Sequence, residues 1–396
     1  MKQGLKLSLG VFCLLSVILF AACGSDETTH HHKRAGINAM PLSAGPNQTC
    51  ALTSGRGVEC WGYNYNGELG DGTTVNRKTP VSVSGLSSGV AAVSAGNSHT
   101  CVVTSAGGAK CWGDNAYGEL GDGTTANRKT SVDVTGLTSG VIDISADFIS
   151  GHNTCVLTEA GAVKCMGWNY YGQLGDGTTT NRKLPVDVTG LSSGVKAISD
   201  GSSQSCALTT GGGVKCWGDN YYGQLGDGTT INRKTPVDVT GLTSGVKAIS
   251  AGSVQTCALT TGGGAKCWGY NSSGELGDGT TVNRKTPVDV TGLTSGVIAI
   301  SAGQAYSCAL TTGGGVKCWG NNLYGQLGDG TTVNRKTPVD VTGLTSGIST
   351  ISAGGYHSCA MSSGAAIFKC WGYNSWGQLG DGTTVDKKVP TDVLWP

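Results

Sequence analysis

Charge is scarce in this chain. Asp, Glu, Lys and Arg make up 13% of its 396 residues, about half the usual ~25%. The 27 basic side chains are matched by 26 acidic ones. A phosphate-binding surface needs a concentrated excess of Lys and Arg, so nucleic acid is not an expected partner. Proline is rare, at nine residues. Beyond the first twenty residues no apolar run follows a helical period, which excludes helical bundles. The sequence also lacks a His-Glu-x-x-His helix, a Walker phosphate loop and sialidase-type Asp boxes, so neither an enzyme nor a resident cofactor or metal is expected. What is present instead is glycine, 67 residues against an ordinary share of ~7%, with Thr, Val and Asn between. That composition describes short strands joined by glycine turns.

Residues 1–22 read as a signal. Lys2 and Lys6 precede an apolar run over 7–20 that is too short to favour a spanning helix. Ala21, Ala22 and Cys23 follow, then Gly24, Ser25 and Asp26. The pattern resembles a bacterial lipoprotein signal with Cys23 as the lipidated residue, although Phe20 stands where Leu is usual. Two or three acyl groups would hold the chain firmly on a membrane. The expected location is therefore the cell envelope, an outer membrane or cell surface, with plain secretion as the alternative. Residues 23–38 form a polar tether, and its His30, His31 and His32 read as incidental to it.

From residue 39 to residue 396 one unit recurs. Its first cysteines fall at Cys50, Cys101, Cys155, Cys206, Cys257, Cys308 and Cys359, a period of 51 with one interval of 54. Each unit holds four strand-like segments, the content of a propeller blade. The expected fold is all-β, a closed seven-bladed propeller with no free sheet edge and a monomer in solution. A C-terminal segment at 389–394 is expected to complete the first blade, which shows only one plausible strand, at 39–43, before Cys50.

The recurring Cys-Ala-Leu, Trp-Gly-x-Asn-x-x-Gly-Gln-Leu-Gly and Thr-Pro-Val phrases resemble the regulator of chromosome condensation repeat family. The resemblance implies a seven-bladed propeller that serves as an interaction surface. Its eukaryotic founder promotes nucleotide exchange on a small GTPase, and some secreted bacterial members inhibit β-lactamases. This chain departs from the founder in its export signal and dense cysteines, and fold does not transfer function.

Fourteen cysteines pair locally as 50/60, 101/111, 155/165, 206/216, 257/267, 308/318 and 359/370. In an antiparallel hairpin Cys206 lies opposite Cys216, at a Cα spacing within disulfide range. Bonding therefore takes Cys50, Cys60, Cys101, Cys111, Cys155, Cys165, Cys206, Cys216, Cys257, Cys267, Cys308, Cys318, Cys359 and Cys370. A zinc site would need a different spacing.

Comparison of the seven copies separates scaffold from recognition. The Trp after the second Cys recurs except at Met166, and packing between blades explains it. Before Leu-Gly stand Glu68, Glu119 and Glu275, or Gln173, Gln224, Gln326 and Gln378; a repeated hydrogen bond fits this alternation better than a catalytic carboxylate. The Asp-Gly-Thr loops offer a single carboxylate each, too few for calcium. Variation gathers before the first Cys and after Trp-Gly, two stretches that a hairpin brings to one face. They carry Trp168, Tyr170, Tyr171, Tyr221, Tyr222, Tyr306, Tyr324, Tyr356 and Trp376. In the longer third copy Phe148 is expected to be exposed as a binding hot spot. Such aromatics suit a protein partner, or alternatively a cell-surface glycan or a secreted enzyme that is inhibited.

Overall fold

A computed structural model describes residues 41–149, 152–363 and 367–395. The signal, Cys23, the His30–His31–His32 tract and the start of the expected first strand lie outside the described residues. The described residues form 28 strands in seven four-stranded antiparallel sheets, and each sheet takes its strands in sequence order. In the first blade these are β1 (Leu42–Ala44), β2 (Gln48–Leu52), β3 (Val58–Gly62) and β4 (Arg77–Ser82). The last blade holds β25 (Ile348–Ala353), β26 (His357–Ser362), β27 (Phe368–Gly372) and β28 (Lys387–Asp392).

This order corrects the expected closure. The C-terminal strand β28 pairs with β27 of its own blade, and β4 supplies the outer strand of the first. The Thr-Pro-Val segment ends a blade and does not begin one, so every blade is contiguous. Closure instead comes from a ring of serines on the innermost strands. Ser43 Oγ accepts the Ala95 N–H at 2.9 Å, the same bond repeats from blade to blade, and Ser352 Oγ accepts the Ala44 N–H at 2.9 Å across the first and last blades. Trp61 adds edge-on packing against Phe368 across the same junction, ring centroids 5.7 Å apart.

The hairpin register follows the sequence. In the fourth blade Cys206 faces Cys216 and Leu208 faces Val214. The two Cα atoms of that bridge are 4.1 Å apart, and all seven local disulfides are formed. Each third strand is buried at every residue but its second, as with half-buried Lys215 between Val214 and Cys216, so both of its faces are covered. The core therefore lies between blades. Trp112, for example, packs with Leu69, Val83 and Leu86 of the first blade.

Candidate functional site

The loop between the third and fourth strands of each blade is organised by a buried asparagine. Asn64 Oδ1 accepts the Leu69 N–H at 2.9 Å, while its amide donates to Asp71 Oδ1 and to the Val75 carbonyl. Asp71 also accepts the Thr73 N–H and hydroxyl on Oδ1, and Arg77 Nε and Nη2 on Oδ2. Burial raises the Asp71 pKa, but the Thr73 bonds and Arg77 outweigh it and hold the carboxyl below its ordinary value. The cation of this loop is thus a guanidinium, replaced in the last blade by Lys387, 3.5 Å from Asp381. Gly62 makes the turn into the loop at φ +106°, where an added Cβ would lie 2.5 Å from the Asn47 carbonyl.

The Glu/Gln alternation has a direct explanation. In all seven blades one side-chain oxygen accepts the N–H two residues earlier, as in Asn66 to Glu68 and Tyr171 to Gln173. That shared bond needs only an oxygen, so acid and amide both make it; the other side-chain atom differs, Glu68 Oε1 accepting from Asn66 Nδ2 where Gln224 Nε2 donates to Asp219. The backbone carbonyl of the same residue receives the next blade's Trp indole and Thr or Ser hydroxyl: Glu68 O takes Trp112 Nε1 at 2.7 Å and Thr100 Oγ1 at 2.9 Å. Where Met166 replaces Trp, Glu119 O receives the Thr154 hydroxyl and no indole. Two Gly-x-Ser-x-Gly phrases, at 85–89 and 190–194, are turns, with Gly85 and Gly89 at φ +76° and +75°, and not nucleophile elbows.

The loops before the second strand and after the third do share one face, tied by bonds such as the Tyr63 N–H to the Asn47 carbonyl. Aromatic residues bridge four of the seven blade junctions there: Tyr117 to Trp168, Tyr222 to Tyr270, Tyr324 to Tyr373 and Trp376 to Tyr63. Trp168 stacks on Tyr170, and Tyr170 meets Tyr171 edge-on. Tyr324 also touches Tyr356. Tyr65, Tyr170 and Tyr221 project furthest, at 73%, 66% and 72% exposure. Tyr171, Asp219, Tyr221, Tyr222, Ile231 and Asn232 line a groove between the third and fourth blades.

Two expected face residues are not on it. Tyr306 is fully buried, its hydroxyl donating to the His357 carbonyl of the next blade. It belongs to a ring of first residues on the second strands (Gln48, His99, Asn153, Gln204, Gln255, Tyr306, His357), all buried at the blade junctions. The strand begins one residue earlier than a loop reading allows, and period-2 alternation turns this side chain inward. Phe148 is also buried, not an exposed hot spot. It lines the central cavity with Ile144, Ile198 and Ile249, held by its N–H to the Gly201 carbonyl. Sequence reasoning also missed Val75, Ile231, Val282, Val333 and Val385, all more than half exposed on these loops. A Val or Ile after Thr-Thr in five of seven copies was the available signal.

The sector holding the insertion is the least symmetric. His99 Nε2 meets Thr154 Oγ1 at 2.8 Å, and burial pulls its pKa down to about 3, so its 3.4 Å approach to Asp147 involves a neutral imidazole. Asp200 stands where other blades have Ala, and burial pushes it up to about 7. His152 is left-handed at φ +41°. Burial opposes its charge, but Glu119, Asp147 and Asp114 prevail and raise its pKa.

The protein-family model described as "RCC1-like domain" matches residues 21–293, and RCC1 repeat models match 297–326, 314–361 and 370–396. The ultraviolet-B receptor UVR8 of Arabidopsis thaliana is 30% identical over 373 residues, 92% of this chain and 83% of that protein. The human E3 ubiquitin-protein ligase HERC2 is 32% identical over 308 residues, 75% of this chain but 6% of that much longer protein. Among solved structures, yeast RCC1 (Prp20) in its complex with Kap60 superposes with a TM-score of 0.74 at 21% identity, covering 95% of this chain and 91% of that one.

Proposed function

Because the chain belongs to the regulator of chromosome condensation (RCC1) repeat family, we propose that it is a non-catalytic binding propeller that docks a protein partner on its loop face outside the cell, anchored through a lipid on Cys23. The carrying observation is the set of Tyr65, Tyr170 and Tyr221, exposed on loops whose backbones are fixed by buried Asn and Glu or Gln. A rigid aromatic on a pre-ordered loop loses little entropy on binding, which favours it as an anchor. Yeast RCC1 (Prp20), alike in fold, is a protein solved with Kap60 bound. Seven buried disulfides suit an oxidising compartment and so support export.

The test uses the mature, oxidised chain as bait in cell-envelope extract. A protein captured by the parent and lost by the combined Tyr65→Ala, Tyr170→Ala and Tyr221→Ala variant, at unchanged melting temperature, supports docking on this face. Retention by the variant overturns it. The stacked Trp168 and Tyr170, 12° apart in plane, favour a second reading, a glycan platform; binding on a glycan array lost in the same variant selects it. For the anchor, Cys23→Ser is expected to move the protein from the detergent phase to the aqueous phase.

A further inference from the structure

One blade junction combines residues found together nowhere else in the repeat. In the fourth blade, Gln224 Oε1 accepts the Tyr222 N–H and its amide donates to Asp219 Oδ2 at 2.7 Å. The sixth blade does the same, with Gln326 Nε2 donating to Asn321 Oδ1 at 2.8 Å. In the second blade the corresponding residues are Asp114 and Glu119. Glu119 Oε2 still accepts the Tyr117 N–H at 2.8 Å. The amide donor, however, is now a second carboxylate oxygen. Acceptor faces acceptor, and a positive charge is needed between them.

The third blade brings His152 to that point. Its Nδ1 lies 3.4 Å from Glu119 Oε1 and 3.7 Å from Asp114 Oδ2. All three ligand atoms lie within 4.8 Å of one another. Glu119 is fully buried, and its Oε1 receives no well-aligned hydrogen bond. The other blades place Asn47, Ser98, Ser203, Val254, Ala305 or Tyr356 where His152 stands. His152 also follows the insertion that sets this loop apart.

We propose that Asp114, Glu119 and His152 form a binding site for a divalent first-row transition cation of the zinc type. Tetrahedral zinc, with bonds of about 2.0–2.1 Å, spaces its ligand atoms about 3.3 Å apart, close to the two His152 separations. One neutral imidazole and two carboxylates neutralise a 2+ charge, and nitrogen with oxygen ligands suits such metals. His152 and Asp114 side chains are 23% and 15% exposed, so ion and water reach the site from the loop face. Three protein ligands would leave a fourth tetrahedral position for water, and Tyr117 packs against His152, ring centroids 5.0 Å apart.

The experiment is calorimetric titration of Zn²⁺ into the chelator-treated full chain carrying His30→Ala, His31→Ala and His32→Ala, which removes the competing tract. Expected is one equivalent bound, at least tenfold weaker binding in Glu119→Gln and in His152→Ser, and a visible absorption band with Co²⁺ that both substitutions abolish. Glu119→Gln recreates the arrangement of the fourth blade, so its melting temperature without metal should not fall below the parent's. Asp114→Asn matches the residue that the sixth blade carries at Asn321 and serves as a second fold-preserving variant with the same expected loss. Absence of saturable binding in the parent, or binding unchanged by Glu119→Gln and Asp114→Asn, overturns the assignment.

Discussion

At the scale of residues, one oxygen explains why acid and amide interchange before Leu-Gly, yet the two are not equal at every pH. Burial pushes Glu68 up to about 7 from 4.5, with Asp114 adding to it. A carboxyl whose pKa rises on folding stabilises the fold fully below its unfolded value and loses that contribution as pH climbs through the folded one. The Asp71 carboxyl has the opposite sign: its stabilisation is present above its unfolded value and is lost as pH falls. Glu68→Gln keeps the oxygen and removes the titration. It is expected to stabilise the chain at pH 8 by on the order of 2 kcal/mol and to be near neutral at pH 4.5, read from thermal melts at both values. Equal effects at the two pH values would show that Glu68 is not the titrating group.

At the scale of elements, the blade junction is the repeating unit of stability. Six junctions hold a Trp indole on the preceding carbonyl, and Met166 leaves one without it. Met166→Trp is expected to add about 1 kcal/mol; a lower melting temperature would mean this junction no longer fits the common indole. The hairpin staple is equally local. Cys206 and Cys216 are fully buried, so Cys206→Ala with Cys216→Ala should cost ~2–3 kcal/mol and leave the circular dichroism spectrum unchanged. These features were readable because alternation and the cysteine period fix register directly. The start of the second strand was not. Tyr306 sits in a variable stretch, and variability there reflects different ways of bridging two blades: Gln204 reaches the Gly252 carbonyl where Tyr306 reaches that of His357.

At the scale of the whole molecule, seven blades and a common loop face could be read from the repeat, while the means of closure could not. A propeller can close by strand exchange or by junction contacts alone, and the same Thr-Pro-Val segment serves either as a first or as a last strand. The serine ring decides the matter only in three dimensions, although its Ser recurs in every copy. Phe148 fails for a similar reason: an apolar insertion is exposed only if no cavity lies beside it, and here the central cavity does. The Asp114, Glu119 and His152 cluster joins residues of two blades, so a search within single repeats passes over it. The most direct measurement is hydrogen exchange on the captured complex. Slowed exchange confined to the loops around Tyr65, Tyr170 and Tyr221 is the expected result, whereas protection of the opposite turns, such as 210–213, with those loops unchanged would contradict docking on this face.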